Sequence, residues 1–417
     1  MKNIILEKAK NAKKASVIIE KLSTNKKNEV LEEIAKALCE NADYILAENK
    51  KDILNAENNG IKKAMIDRLL LTKERIEAMA DGVREVIELK DPIGEFTGAK
   101  TRPNGLLISE KRVPLGVVGI IYEARPNVTV DAAALTLKTG NACILRGGKE
   151  AINSNIALVK IMKDALKKCN LPDGAIGAIE FIEDTTHESA NEMMHLNGYI
   201  DVLIPRGSAR LIEAVVNNST VPIIETGSGN CHTYVNNDAD IDMALEILKN
   251  AKVQRPSVCN ACESLVVHKD IAKDFLPKAK EMLEECNVEI RGCEETLKII
   301  DVKRATDEDF YTEYNDLIIS VKIVDNTDEA IAHINSHNTK HSECIVTKSY
   351  EEAQKFTNEI DAACVYVNAS TRFTDGNEFG FGAEIGISTQ KLHKRGPMGL
   401  EALTCTKYII LGNGQIR

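Results

Sequence analysis

Two α/β domains, each built on a parallel sheet, with a β-hairpin and a carboxyl-terminal strand forming a separate arm, are the architecture the sequence predicts. Three observations predict it. Short apolar, β-branched runs alternate with helix-length segments through most of the chain, the pattern of parallel strands covered on both faces. This alternation restarts near Thr233, so two such series follow one another. Two further segments, 97–113 and the stretch beyond 386, belong to neither series. With 417 residues, the chain is long enough for two or three domains, each with its own core.

From Asn28 onward, Val30, Leu31, Ile34, Ala35 and Leu38 recur at helical spacing, so the first ninety or so residues read as amphipathic helices with Lys and Glu outward. At Leu115 the pattern changes to the run LGVVGII, a buried strand. A turn at 124–127 follows, then a helix that Asp131 is expected to cap and Gly140 to end. Further strands are expected at Cys143–Arg146, Ala178–Ile182, Tyr199–Ile204 and Val221–Ile224, with helices between them. The second series places strands around Thr233, Ser264–His268, Leu317–Val324, Cys344–Thr347 and Val365–Val367. Arg102-Pro103-Asn104-Gly105 within Thr97–Val113 marks a hairpin turn, hence a ribbon. Leu403–Leu411 reads as one more strand, whose edge needs covering, and pairing with another subunit of a homo-oligomer would cover it.

Composition excludes several function classes. Aromatic residues are only 4% and tryptophan is absent, which removes the stacking platforms that single-stranded nucleic acid requires. A net charge of -10 opposes DNA and anionic lipid, so neither nucleic acid nor membrane is an expected partner. No apolar run approaches the ~18 residues a bilayer span needs, and the amino terminus lacks a secretory cleavage pattern, so a cytoplasmic location is expected. The 11 cysteines, an odd number scattered over both halves, read as reduced thiols.

Chemistry concentrates in a few loops. Gln254-Arg255-Pro256-Ser257-Val258-Cys259-Asn260-Ala261-Cys262 is a polar loop between a helix that Asp240 is expected to cap and the strand at Ser264. A thiol there is accessible, and a neighbouring Arg255 raises its thiolate fraction; a buried structural cysteine is the competing reading. The C-x-x-C of Cys259 and Cys262 lacks a second ligand pair at zinc spacing, so no metal is expected. His333, His337 and His341 recur every four residues without an H-E-x-x-H frame and read as solvated surface. Glu225 follows an apolar run and precedes Thr226-Gly227-Ser228-Gly229, where it can act on a proton or cap the turn. Arg146-Gly147-Gly148-Lys149 and Pro205-Arg206-Gly207-Ser208 each follow a strand, and free amides with adjacent cations suit a phosphate, although G-x-G-x-x-G is missing.

These pieces, in this order, resemble the aldehyde dehydrogenase superfamily and, within it, the gamma-glutamyl phosphate reductases. The stretches that carry the resemblance include RVPLGVVGIIYEARPNVTVDAAALTLKTGNACILRGGKEA, DVLIPRGSARLI, VPIIETGSGN, VQRPSVCNACESLVVH, TEYNDLIISVKIV and FGFGAEIGISTQKLHKRGPMGLEALT. The resemblance implies an aldehyde-dehydrogenase-like fold, with an NADP-binding domain over 1–96 and 114–226, a catalytic domain over 227–385, and an oligomerisation arm over 97–113 and 386–417. It further implies Cys259 as nucleophile, Asn127 as oxyanion donor and Glu225 in the place of a water-activating glutamate. Glu313 takes the place of the residue that holds the nicotinamide ribose. Arg146 takes that of an adenosine-ribose contact, and Pro205, Arg206, Gly207 and Ser208 form the pyrophosphate turn. With Arg146, Lys149 supplies a second cation and no repelling carboxylate, which suits the 2'-phosphate of NADP. Arg125 and Arg255, flanking the oxyanion and thiol segments, are expected to hold the substrate phosphate or α-carboxylate. The implied activity is NADPH-dependent reduction of L-glutamyl 5-phosphate through a cysteine thioester. A separate gamma-glutamyl kinase would supply that acyl phosphate, and direct contact with it is expected. The rival readings are a non-phosphorylating semialdehyde dehydrogenase and a non-catalytic nucleotide-binding or assembly protein.

Overall fold

In the computed structural model, residues 2–61 and 63–417 are described. They divide into two compact units, one of 2–61, 63–225, 380–386 and 398–417 and the other of 226–379 and 387–397. The hairpin and the carboxyl-terminal strand belong with the first unit, and the stretch after 380 is shared between the two.

The first unit opens with helices α1 (Lys2–Ile19), α2 (Thr24–Glu40), α3 (Ala42–Asn58), α4 (Lys63–Leu69) and α5 (Lys73–Glu88). In α2 the expected stripe is the buried one, Val30, Leu31, Ile34, Ala35 and Leu38, and Ser23 caps the helix by accepting from the Lys26 amide. Next comes the hairpin of β1 (Phe96–Thr101) and β2 (Leu107–Pro114). Gly105 at φ +86° donates its amide to the Arg102 carbonyl, and the Arg102 amide donates to the Leu106 carbonyl, both at 2.8 Å. Asn104 is not left-handed, so the turn is a three-residue loop with a glycine bulge rather than a two-residue Asn-Gly turn. The strand Thr404–Leu411 pairs antiparallel with β2 along its whole length and forms one edge of that three-stranded sheet.

The parallel sheet of this unit contains β3 (Val117–Tyr122), β4 (Ala142–Arg146), β5 (Ile179–Phe181) and β6 (Val202–Arg206) in the order β5-β4-β3-β6. Helices α6 (Pro126–Lys138), α7 (Ile152–Lys168), α8 (His187–Met194) and α9 (Ala209–Asn218) accompany it. Two local expectations fail. Helix α6 begins at Pro126, which suits a first helical position because its missing amide would be an orphan there, so Asp131 lies inside the helix and caps nothing. Val221–Ile224 is not a strand: it touches β6 through the single bridge Leu203–Ile223, and Pro222 has no amide with which to extend a ladder. Gly140, at φ +71°, ends α6 as expected.

The second unit holds a seven-stranded sheet in the order β10-β9-β11-β8-β7-β12-β13. Its strands are β7 (Cys231–Val235), β8 (Cys262–His268), β9 (Glu289–Gly292), β10 (Lys303–Arg304), β11 (Ile318–Val324), β12 (Ser342–Val346) and β13 (Cys364–Val367). All neighbours are parallel. Helices α10 (Ile241–Val253), α11 (Lys269–Glu285), α12 (Glu294–Leu297), α13 (Thr327–His337) and α14 (Tyr350–Glu359) connect them, and Asp240 caps α10 by accepting from the Met243 amide. A short pair, β14 (Ile387–Ser388) with β15 (Gly396–Pro397), completes the unit. β9 and β10 are too short and too charged to register as strands in the sequence; they exist because the edge of the sheet extends past β11.

Candidate active site

In the first unit, β4, β3 and β6 run side by side, with Ile121 opposite Arg146 and Tyr122 opposite Arg206. The loops that leave these strands therefore share the carboxyl edge of the sheet, where parallel α/β sheets bind ligands. Arg146 is 9% exposed, and its Nη2 donates to the carbonyls of Thr185 (2.7 Å) and Thr186 (2.9 Å), while its Nε is buried without a partner among the described residues. Burial holds its pKa below the usual arginine value, opposed by the nearby Asp184 and Glu150 carboxylates. Lys149 is exposed at the start of a 3-10 turn, with no ion pair among the described residues.

The Pro205–Ser208 turn corrects an expectation. Ser208 was expected to present a free amide to an anion, but its N and Oγ both donate to the Glu123 carboxylate, at 2.8 and 2.7 Å. Gly207 abuts the same group: a Cβ there would lie 2.6 Å from Glu123 Oε2. The protein's own carboxylate thus occupies the amide that the turn offers. This happens where the strand order reverses, between β3 and β6, the position of the ligand crevice in such sheets. Nothing in the motif marked Glu123, because its partner lies 85 residues away.

Asn127 was expected in a loop but sits exposed in the first turn of α6, donating Nδ2 to Asp131 Oδ2 at 3.1 Å. The Asp131 carboxyl is pushed up to about 6 by burial, against the opposing pull of that hydrogen bond and of the Arg206 charge. Arg125 is the residue just before the helix, half-buried, and does not cap it through its side chain. Glu225 is half-buried in the irregular stretch between α9 and β7.

In the second unit, β11, β8 and β7 are adjacent, so the loops that enter them gather at the amino edge of the sheet. These loops carry Glu313, Cys259 and Gly229. Gly229 lies so close to the nucleophile loop that a Cβ on it would fall 1.4 Å from the Cys259 carbonyl oxygen. Its amide donates to Glu313 Oε1 at 2.8 Å, and burial raises the Glu313 carboxyl above the ordinary range. The buried Cys231 thiol donates to the same Cys259 carbonyl at 3.2 Å. Cys259 itself is partly exposed, whereas Cys262 is buried at the start of β8, with burial pushing its thiol up to about 11. The two members of the C-x-x-C are therefore in different environments.

Both roots of the loop are fixed. Lys252 at the end of α10 and Glu263 in β8 form a fully buried ion pair at 2.5 Å, with burial pushing the glutamate up to about 7. Asn260, next to the thiol, donates Nδ2 to the carbonyls of Arg372 (3.2 Å) and Thr374 (2.9 Å), and Thr371 Oγ1 donates to the Asn260 carbonyl at 2.8 Å. Arg372 escaped the sequence reading because it sits in a turn without a motif, 112 residues beyond Asn260.

The histidine reading also changes. α13 ends at His337, so His341 lies beyond it and is fully buried, its pKa pushed down to about 4. His333 and His337 are half-buried with ring centroids 4.1 Å apart, and burial with the neighbouring rings lowers His333 to about 3. Among the described residues, no group of three His, Cys, Asp or Glu side chains could hold a metal ion.

With this geometry in view, the aldehyde dehydrogenase family model matches residues 3–299 and 310–409. The chain belongs to the aldehyde dehydrogenase family. Among curated relatives, the gamma-glutamyl phosphate reductase of Clostridium perfringens is 60% identical over 100% of both chains. The gamma-glutamyl phosphate reductase of Carboxydothermus hydrogenoformans is 61% identical over 99% of each. The crystal structure of the gamma-glutamyl phosphate reductase of Thermotoga maritima covers 99% of each chain with a TM-score of 0.96 at 50% identity. An acetylating aldehyde dehydrogenase from Geobacillus thermoglucosidasius, at 17% identity and a TM-score of 0.70, shares the fold. Family and fold are thus those the motifs implied, and two parallel sheets with a hairpin and a carboxyl-terminal strand are the family fold as this chain builds it.

Proposed function

We propose that the protein catalyses the NADPH-dependent reduction of L-glutamyl 5-phosphate to L-glutamate 5-semialdehyde and phosphate, the second step of proline biosynthesis from glutamate. The observation that carries this reading is the partly exposed Cys259 on a loop pinned at both roots, in a chain 60% identical to named gamma-glutamyl phosphate reductases. The Cys259 thiolate attacks the acyl carbon, a C–S bond forms, the bond from that carbon to the bridging oxygen breaks, and phosphate departs with the electron pair, leaving a thioester. Asn127 keeps one amide hydrogen beyond the one given to Asp131, and that hydrogen serves the oxyanion. Glu225 manages a proton at the thiol or at the departing group. When bound, NADPH supplies the hydride that reduces the thioester.

Residues suited to the dinucleotide are at hand. The orphaned Nε of Arg146 is a buried donor awaiting an acceptor, which fits a ribose or phosphate oxygen. Because the Arg146 Nη2 is committed to two carbonyls, Lys149 is the cation left to select the 2'-phosphate. Pro205, Arg206, Gly207 and Ser208 face the pyrophosphate in this reading, with Glu123 moving aside, and Glu313 holds the nicotinamide ribose. Arg125 and Arg255 serve the substrate anions. Self-association through the free edge of Thr404–Leu411, and transfer of the acyl phosphate from a contacting gamma-glutamyl kinase, belong to the same proposal. So does a cytoplasmic location, which suits eleven free thiols. No helix among the described residues is long and apolar enough to cross a membrane.

The test is reduction of NADP and of NAD by glutamate semialdehyde with and without inorganic phosphate. Turnover that requires phosphate and prefers NADP is expected, and Lys149→Glu should weaken the NADP preference. Phosphate-independent oxidation would instead identify a hydrolytic dehydrogenase and overturn the proposal.

A further inference from the structure

The nucleophile loop is bridged by an arginine from a distant segment. Arg372 Nε donates to Gln254 Oε1 at 3.0 Å and its Nη1 donates to Asn260 Oδ1, so the guanidinium grips the residue just before Arg255 and the residue just after Cys259. Asn260 returns the grip through its own Nδ2, donated to the Arg372 and Thr374 carbonyls. The side chain is thereby fixed in orientation, which is what a planar fork needs for bidentate recognition of an oxyanion. Its Nη2 has no partner among the described residues, and neither Arg372 nor Arg255 forms an ion pair with any described carboxylate. The nearest acid in sequence, Asp375, is engaged with the backbone amides of Asn377 and Glu378. The two cations flanking one thiol repel one another: burial and the like charge of Arg255 lower the Arg372 pKa, and the Asp375 and Glu378 carboxylates with Cys259 offset this only in part. An arrangement of this kind is stabilised by an anion that enters with the substrate.

We propose that Arg372, together with Arg255, clamps the phosphoryl group that leaves when Cys259 is acylated and that enters as inorganic phosphate in the reverse reaction. This rests on the phosphorylating reading above. In the forward step the C–O bond breaks and its electron pair departs on phosphate, whose added charge the two guanidinium groups meet. In reverse, a phosphate oxygen attacks the thioester carbon and the C–S bond breaks to return the thiolate. Neither step changes the oxidation state of any atom.

The experiment is steady-state oxidation of glutamate semialdehyde with Arg372→Ala and Arg372→Lys, varying phosphate and semialdehyde separately. Loss of a charge-assisted contact should raise the phosphate KM by about tenfold or more in Arg372→Ala. Arg372→Lys, which keeps the charge but loses the fork, should fall between, and the semialdehyde KM should hardly change. A second readout is protection of Cys259 from iodoacetamide by inorganic phosphate, expected in the wild type and lost in both variants. An unchanged phosphate KM in Arg372→Lys with wild-type protection overturns the clamp even if Arg372→Ala fails to fold. A rise confined to the semialdehyde KM also overturns it and assigns Arg372 to the α-carboxylate. A wild type that turns over without phosphate refutes instead the functional reading on which the clamp stands.

Discussion

At residue 229 there is no room for a side chain, because a Cβ would overlap the Cys259 carbonyl at 1.4 Å. Backbone cannot yield as a flexible side chain can, so Gly229→Ala must push the thiol loop out of place. The expected outcome is a loss of kcat of about a hundredfold or more, in line with the sensitivity of reactions to ~1 Å misplacement, measured alongside thermal melting to show that the fold survives. Near-normal kcat in this variant would mean that loop placement is not limiting. The same scale explains what the sequence could and could not disclose. Cys259 was legible because a polar loop between a capped helix and a strand is local information. Arg372, Glu123 and the buried His341 were not, since each acquires its environment from segments far away in sequence. Asn127 was assigned to a loop because the helix start at Pro126 was placed too late, with Asp131 taken as its cap.

At the scale of elements, α10 and β8 hold the loop between them through Lys252 and Glu263. This pair is fully buried, and removing one charge strands the other. Lys252→Met is expected to destabilise the protein by about 3–5 kcal/mol, whereas the double replacement Lys252→Met with Glu263→Leu should recover most of that loss. Urea unfolding of the two variants decides it: a single variant within about 1 kcal/mol of the wild type would show the pair to be energetically idle. Most of the strand elements were visible as apolar runs, and the first helices as a 3.6-residue stripe. The failures share a cause, namely that apolar character alone does not make a strand. Val221–Ile224 has the composition, but Pro222 denies it a ladder, while charged β9 and β10 form because a neighbouring edge was available.

For the whole molecule, the family fold followed from two restarted α/β series plus an arm, and the remaining feature of consequence is an unpaired edge. Thr404–Leu411 is a long edge strand with Tyr408 66%, Ile410 56% and Leu411 58% exposed. Edges of this kind template pairing unless they carry charge or are covered. Ile410→Lys is expected to shift the protein toward the monomer in sedimentation velocity, with the stability of each unit nearly unchanged. A monomeric wild type would remove the assembly role from this strand. The proposed reaction passes through a covalent intermediate at one thiol. Incubation with glutamate semialdehyde and NADP in the absence of phosphate, followed by acid quench and peptide mass analysis, is the measurement that tests it. The prediction is a glutamyl adduct on the peptide bearing Cys259, discharged by added phosphate and absent from Cys259→Ser. An adduct on another residue, or undiminished turnover in Cys259→Ser, would contradict it.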